Sequence, residues 1–337
     1  MSEDARIVFV LLVTTFLVGL GIRELKSDDV NNPVASKYEL VEHWPQLPGG
    51  FVLGNPTGVD VDSEGSVWVF HRRSRRWSVP MPQAKIVDNT VTQLDSSTGQ
   101  LLKSWGSNRF IMPHGLMVDK ANHVWVTDDG LHQVFKFDSN GELLLILGEA
   151  GVSGLDDAHF NLPADVAVSS DGSIYVADGY GNSRVVKFSA EGRYLTGWGT
   201  KGRGEDEFRI PHWIDLDRDG NIYVADRENN RIKKYNAAGS LLSIWQNKEA
   251  DQLYSVSMHP NLPRLFGIDY EISEQGEILG SDIILFDLDL NLKARVGRSG
   301  GFNGPISRYH DIVVDKRGNV YVGDILGNTI QKFSVTP

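Results

Sequence analysis

The segment Ser173–Gly199, SIYVADGYGNSRVVKFSAEGRYLTGWG, contains most of one repeating unit of this chain. Apolar and polar residues alternate through IYVAD, RVVKF and RYLTGW, and Gly, Asn and Ser fill the breaks between them. Such period-two alternation, interrupted by turn residues, predicts short antiparallel strands joined by tight turns. The unit recurs as NIYVADRENNRIKKYNAAGSLLSIW at Asn221–Trp245 and as NVYVGDILGNTIQKF at Asn319–Phe333. An apolar strand introduces each copy, followed by an Asp-x-x-Gly-Asn turn at 217–221 and 315–319 and by the related Ser-Ser-Asp-Gly-Ser at 169–173. Units starting near Pro56, Pro113, Pro163, Pro211, Tyr254 and Tyr309 make six, with the fifth (LYSVSMHPNLPRLFGID) the most degenerate. Their spacing is close to the length of a propeller blade. The expected fold is therefore all-β, a six-bladed β-propeller over residues 38–337. Strands within 38–50 and 330–337 are expected to close the ring, because an unclosed propeller leaves a sheet edge exposed.

Composition narrows the function. The 337 residues carry 33 Lys and Arg against 44 Asp and Glu, a formal charge of −11, which argues against a nucleic-acid partner because phosphate binding needs a basic stripe. The basic run His71–Arg76 is short. There is no cysteine, so a metal would have to be held by His, carboxylate or carbonyl groups. Residues 1–37 read as a segment apart from the propeller. Within them Ile7–Ile22 is uncharged and apolar between Arg6 and Arg23, as in an export or anchoring segment. The weak small-residue cleavage candidate at Gly19–Gly21 favours a membrane anchor over a cleaved signal peptide. Either outcome places the propeller outside the cytoplasm, on a polar tether near residues 24–37.

Three histidines stand at equal intervals, with 212 − 114 = 98 and 310 − 212 = 98. They open MPHGLMVD, IPHWIDLD and RYHDIVVD, whereas the related segments NPTGVDVD and LPADVAVS lack the histidine. His114, His212 and His310 thus occupy alternate units. Around a six-bladed ring, alternate blades lie a third of a turn apart, and three such side chains converge on the axis. Three neutral imidazoles with one position left open are what a catalytic zinc site requires. The remaining histidines, among them His43, His123, His132, His159 and His259, lack this spacing and read as surface or structural residues.

The units resemble NHL repeats, and residues 38–333 further resemble the peptidylglycine α-amidating lyase family. The motifs that carry the second resemblance are VFHR (Val69–Arg72), PHGL (Pro113–Leu116), WVTD followed by LHQVFK within Trp125–Lys136, DGYGNSR (Asp178–Arg184), PH at 211–212, ADRENNRI (Ala225–Ile232) and HDI (His310–Ile312). The resemblance implies that the three histidines hold zinc, that Tyr180 is the catalytic phenol and that Arg72 and Arg227 line the site. It also implies a calcium ion held by the Asp311 carboxylate with the backbone carbonyls of Val59 and Leu116, the oxygen ligands a hard cation takes. An arginine beside a phenol favours the phenolate, so Arg72 is expected to lower the pKa of Tyr180, and the second arginine to pair with a substrate carboxylate. The implied reaction splits peptidyl- or N-acyl-α-hydroxyglycine into an amide and glyoxylate.

The chain departs from the family in having Arg308-Tyr309 before the third histidine where the animal enzymes have Met-Pro. It also lacks the family's cysteines, with Gly181 after the tyrosine. With no monooxygenase domain before the propeller, the hydroxylated substrate is expected from a separate source. Two other readings use the same fold: a metal-dependent lactonase or hydrolase, whose sites are richer in Asp, Asn and Glu, and a non-catalytic NHL scaffold. Asp215-x-Asp217-x-Asp219-Gly220 opens like an EF-hand loop but reads as a hairpin turn, since each unit places its turn there.

Overall fold

The computed structural model describes residues 38–250, 252–298 and 304–335. The expected export or anchor segment lies outside the described residues. Among the described residues no helix is long and apolar enough to cross a membrane. Six antiparallel sheets of four or five strands follow one another along the chain, and a small two-stranded pairing joins the third to the fourth. This is the six-bladed propeller. The inner strands are Pro56–Val61, Pro113–Val118, Asp165–Val168, Pro211–Leu216, Gln252–Met258 and Tyr309–Val314.

The second strand of a blade faces a neighbouring blade on either side, and its composition reflects this. All residues of VWVFH, VWVTD, IYVAD, IYVAD and VYVGD are buried in blades 1, 2, 3, 4 and 6. The β-branched and aromatic residues suit a strand covered on both faces. Apolar packing forms six layers, each between two consecutive blades. The layer joining Val59, Val67 and Val69 to Val313, Tyr321 and Ile330 connects the last blade to the first.

Turn chemistry explains the Asp-x-x-Gly-Asn signature. Asp217 Oδ1 accepts the backbone N–H groups of Asp219 and Asn221 at 3.0 and 2.8 Å, and Gly220 takes the left-handed conformation with φ 80°. Asp315 repeats the arrangement with Arg317 and Asn319. The EF-hand-like segment is therefore a hairpin turn. The inner strands are stitched sideways as well: Asp60, Asp165, Asp215 and Asp311 accept the backbone N–H of Val118, Ile214, Met258 and Val59, each on the following blade.

Closure is tighter in sequence than expected. Only Tyr38–Leu40 forms the N-terminal strand, pairing antiparallel with Thr329–Val335 as the outermost strand of blade 6. Residues 41–50 form no strand and run over the edge, with Trp44 buried against Tyr321 at a ring separation of 5.2 Å. The degenerate fifth blade differs by a long second strand, Arg264–Ile272, carrying an extra short strand at Ile278–Gly280.

Since Tyr38–Leu40 covers the last free edge, a chain beginning at Val41 should melt at a lower temperature and scatter more light on heating than one beginning at Lys37. Identical melting would show that the three-residue strand does not close the ring.

Candidate metal centre and active site

His114, His212 and His310 take the same place, the second residue of inner strands in blades 2, 4 and 6. Their ligand nitrogens lie within 4.8 Å of one another, and all three side chains are buried. Ring centroids stand 4.9, 4.7 and 5.0 Å apart. Each Nδ1 meets a backbone carbonyl of the next blade: His114 with Ala164 at 2.7 Å, His212 with Tyr254 at 2.7 Å, and His310 with Thr57 at 2.8 Å. A carbonyl can only accept, so Nδ1 carries the proton and Nε2 keeps its lone pair. Burial, chiefly, holds the pKa of all three well below the usual range, aided by His310 for His114, Arg227 for His212 and Arg72 for His310. The three imidazoles are thus neutral ligands in the tautomer a metal ion needs.

Trp213 forms the floor. Its ring lies 5.9, 5.6 and 5.9 Å from those of His114, His212 and His310 and is buried. Its sequence position, next to His212 and facing the opposite way in a regular strand, gave no sign of this. The strand departs from regular pairing between Pro211 and Trp213.

Tyr180 covers the opposite side. Its hydroxyl lies 3.0 Å from His114 Nε2, 2.9 Å from His212 Nε2 and 3.0 Å from Arg227 Nη1. The Trp77 ring packs on the phenol at 4.9 Å, and the Arg72 guanidinium lies 5.5 Å from the Trp77 ring centre. Trp77 comes from a loop after the second strand of blade 1, a stretch with no strand periodicity by which to foresee it. The arginine in contact with the phenol is therefore Arg227, not the expected Arg72. Arg72 is held by its own Nε–H, donated to the Pro113 carbonyl at 2.8 Å, which directs it along the wall while Nη2 is buried without a partner.

The acidity of Tyr180 also differs from expectation. Burial pushes its pKa up to about 12, outweighing the lowering effect of Arg227 and, further down, Arg72. Removing a phenolate from water costs more than two neighbouring guanidinium groups return.

Arg227 follows the second strand of blade 4, its backbone N–H bonded to the Ile210 carbonyl at 3.0 Å. Ile210 has φ 62°, a strained conformation for a β-branched residue immediately before the histidine strand. Arg308 donates to the Tyr254 hydroxyl, and its guanidinium lies 4.5 Å from the Tyr270 ring centre.

Asp311 is buried beside His310. Its carboxylate accepts from Ser255 Oγ at 2.8 Å and from the N–H groups of Val59 and Ile312, both at 2.6 Å. Through the Val59 N–H the Asp311 carboxylate serves as an inter-blade acceptor. Val59, Leu116, Asp60, Asp165 and Asp215 line one cavity in the channel. One Asp165 carboxylate oxygen there is buried without a partner. Burial raises Asp60 to about 7 and Asp215 to about 6, and lifts Asp165 and Asp311 well above the carboxylate range.

Comparison with known proteins places this arrangement. The family model described as NHL repeat matches residues 110–137, 160–188 and 208–235. Peptidylglycine alpha-amidating monooxygenase of Rattus norvegicus is 33% identical over 319 residues, covering 88% of this chain and 32% of that protein. The chain thus spans about a third of the length of that relative. Peptidyl-alpha-hydroxyglycine alpha-amidating lyase 2 of Drosophila melanogaster is 33% identical over 316 residues, covering 88% of this chain and 75% of the fly protein. A solved streptogramin B lyase structure superposes with a TM-score of 0.56 at 15% identity, covering 90% of this chain and 99% of that one, a likeness of fold.

Replacing any one of His114, His212 or His310 by Ala removes one of the three candidate ligands that the described residues bring together. Each variant should hold a divalent transition metal at least tenfold more weakly than the wild type, a minimum set by the losses caused by changing groups that merely orient ligands. Metal content after dialysis against a competing chelator measures this. Equal retention by wild type and all three variants would dissociate the histidines from metal binding.

Proposed function

The chain belongs to the peptidyl-α-hydroxyglycine α-amidating lyase family, and on that premise we propose that it cleaves peptidyl- or N-acyl-α-hydroxyglycine to an amide and glyoxylate at a zinc centre. The observation that carries this reading is the meeting of the Tyr180 hydroxyl with two imidazole Nε2 atoms and Arg227 Nη1 at 2.9–3.0 Å. It joins a proton acceptor, a cation and two of the three candidate metal ligands at one point.

The residues fit zinc. His114, His212 and His310 offer three neutral nitrogens, each oriented by a carbonyl on Nδ1, the donor set with which a catalytic zinc would keep a fourth position for substrate. When bound, the ion supplies a Lewis acid that polarises the substrate hydroxyl and a positive charge that favours the phenolate form of Tyr180. Tyr180 Oη takes the hydroxyl proton. As that proton leaves, the oxygen electrons form the aldehyde C=O, the C–N bond breaks with its pair moving to nitrogen, and the nitrogen takes the proton back from the Tyr180 phenol to become the amide. Arg227 Nη1 holds the phenolic oxygen in place and offsets its negative charge. Arg72, with Nη2 free of protein partners, is the group to pair with the substrate carboxylate. Trp77 and Trp213 cover two sides of the centre and limit access of water.

A hard cation fits the opposite part of the channel by charge. The half-buried Asp60 and Asp215 and the buried Asp165 line the cavity, no Lys or Arg does, and the buried Asp311 bonds to Val59 of its lining. We place calcium there, with Asp311 and the carbonyls of Val59 and Leu116 as the ligands the family implies. We also propose, from the apolar run Ile7–Ile22, that the propeller works outside the cytoplasm, anchored by that run.

Purified protein supplied with zinc should release glyoxylate from N-benzoyl-α-hydroxyglycine. Tyr180→Phe should lower kcat by about 10²–10⁴-fold, the usual contribution of general acid–base catalysis, while zinc content and melting temperature are kept. Arg72→Lys should raise KM, because an ammonium does not reproduce the bidentate fork. Glyoxylate release by Tyr180→Phe at the wild-type rate would overturn the proton-transfer role. Separately, calcium added to chelator-treated protein should raise its melting temperature, since the ion binds only the folded channel. An unchanged melting temperature would remove calcium from the account.

A further inference from the structure

Asp129 is a buried acid that the reaction as described does not use. The residue directly after the second strand occupies one register in blades 1, 2, 4 and 6. In blades 1, 2 and 4 it is Arg72, Asp129 and Arg227, following strands that end at His71, Asp128 and Asp226. The backbone confirms the equivalence. The N–H groups of Arg72, Asp129 and Arg227 bond to the carbonyls of Asn55, Met112 and Ile210 at 2.9, 3.0 and 3.0 Å, in each case the residue before the inner strand. This register brings Arg72 and Arg227 to the mouth of the metal centre, and it brings Asp129 there too.

Two features separate Asp129 from the structural acid beside it. Asp128 is saturated, accepting the N–H groups of Ile111, Met112 and Leu131. Asp129 is fully buried, and neither of its carboxylate oxygens has a hydrogen-bond partner. A buried carboxyl without a partner costs stability and is held for a purpose or for a ligand. The charged groups that bear on it are Arg72, Asp128 and Arg227, and it acts in turn on Tyr180, so it looks onto the reacting centre. Burial pushes its carboxyl well above the usual range, with Arg72 the strongest opposing influence.

We infer that Asp129 is a specificity-determining residue of the site, accepting a hydrogen bond from the amide N–H of the acyl-α-hydroxyglycine unit. This rests on the lyase reading given above. The reacting unit presents three polar groups next to the bond that breaks. The carboxylate suits an arginine, and the hydroxyl suits the metal and Tyr180. The N–H needs an acceptor, and among Arg72, Arg227, Tyr180, the three histidines and Asp129, the carboxyl of Asp129 is the acceptor that no protein group has taken. Held there, the nitrogen is fixed in orientation as its bond to carbon breaks, so the contact bears on turnover as well as on binding.

The test compares N-benzoyl-α-hydroxyglycine with its N-methyl analogue, which lacks the N–H, in the zinc-loaded wild type and in Asp129→Ala and Asp129→Asn. The wild type should favour the N–H substrate in kcat/KM, and Asp129→Ala should lose about tenfold or more on that substrate while changing little on the analogue. The ratio between substrates therefore falls in Asp129→Ala, and Asp129→Asn, which keeps an acceptor oxygen, retains more of it. Melting temperature provides the second readout: removing an unpartnered buried carboxyl should leave it unchanged or raise it, whereas a structural acid would lower it. The same substrate ratio in Asp129→Ala as in wild type, or a lowered melting temperature with equal losses on both substrates, overturns the inference and leaves the lyase reading standing. No glyoxylate from the wild type on either substrate overturns the lyase reading and this inference with it.

Discussion

The structure depends on the hydrogen bonds from histidine Nδ1 to backbone carbonyls across the blade interfaces. Each imidazole on an even blade is held by a backbone carbonyl at the beginning of the inner strand of the following odd blade, Ala164, Tyr254 and Thr57. The odd blades thus contribute backbone where the even blades contribute side chains, which gives the threefold centre its physical reason. The bond from His310 to Thr57 spans 253 residues of sequence. It exists only if the ring closes. Metal geometry is consequently tied to the apolar layer between blades 6 and 1 and to the short N-terminal strand that completes the last sheet.

Burial dominates the electrostatics of the channel. It keeps the histidines neutral, which favours metal binding, and it raises Tyr180 to about 12, which opposes a phenolate. Arg227 alone does not reverse that cost, and an ion held by the three histidines, as proposed, would favour the phenolate. At the other part of the channel, buried aspartates repel one another and stitch the blades at once. A cation there would favour their ionised form. Such sites trade stability for function.

The blade count was legible because each unit repeats a period-two pattern and a turn with a defined chemistry, the aspartate accepting two N–H groups ahead of a left-handed glycine. The equal spacing of His114, His212 and His310 was legible as convergence for the same reason, since identical intervals in a closed ring become angles. The partner of Tyr180 was not. Choosing between Arg72 and Arg227 needs the positions of blades 1 and 4 relative to blade 3, and no local pattern encodes that. Trp77 comes from an aperiodic loop, and Trp213 reaches the axis through an irregularity in its strand pairing. Asp129 could have been found by aligning the residues after each second strand, where it falls in line with both arginines. Its lack of partners needed the structure.

The central claim is that three imidazoles converge on one ion with a fourth position free for a light ligand. X-ray absorption at the zinc edge of the zinc-loaded protein tests it directly. The account predicts about three imidazole nitrogens and one further oxygen or nitrogen at roughly 2.0–2.1 Å, with the outer-shell scattering of histidine rings. A first shell made of oxygens alone, without imidazole scattering, would contradict it.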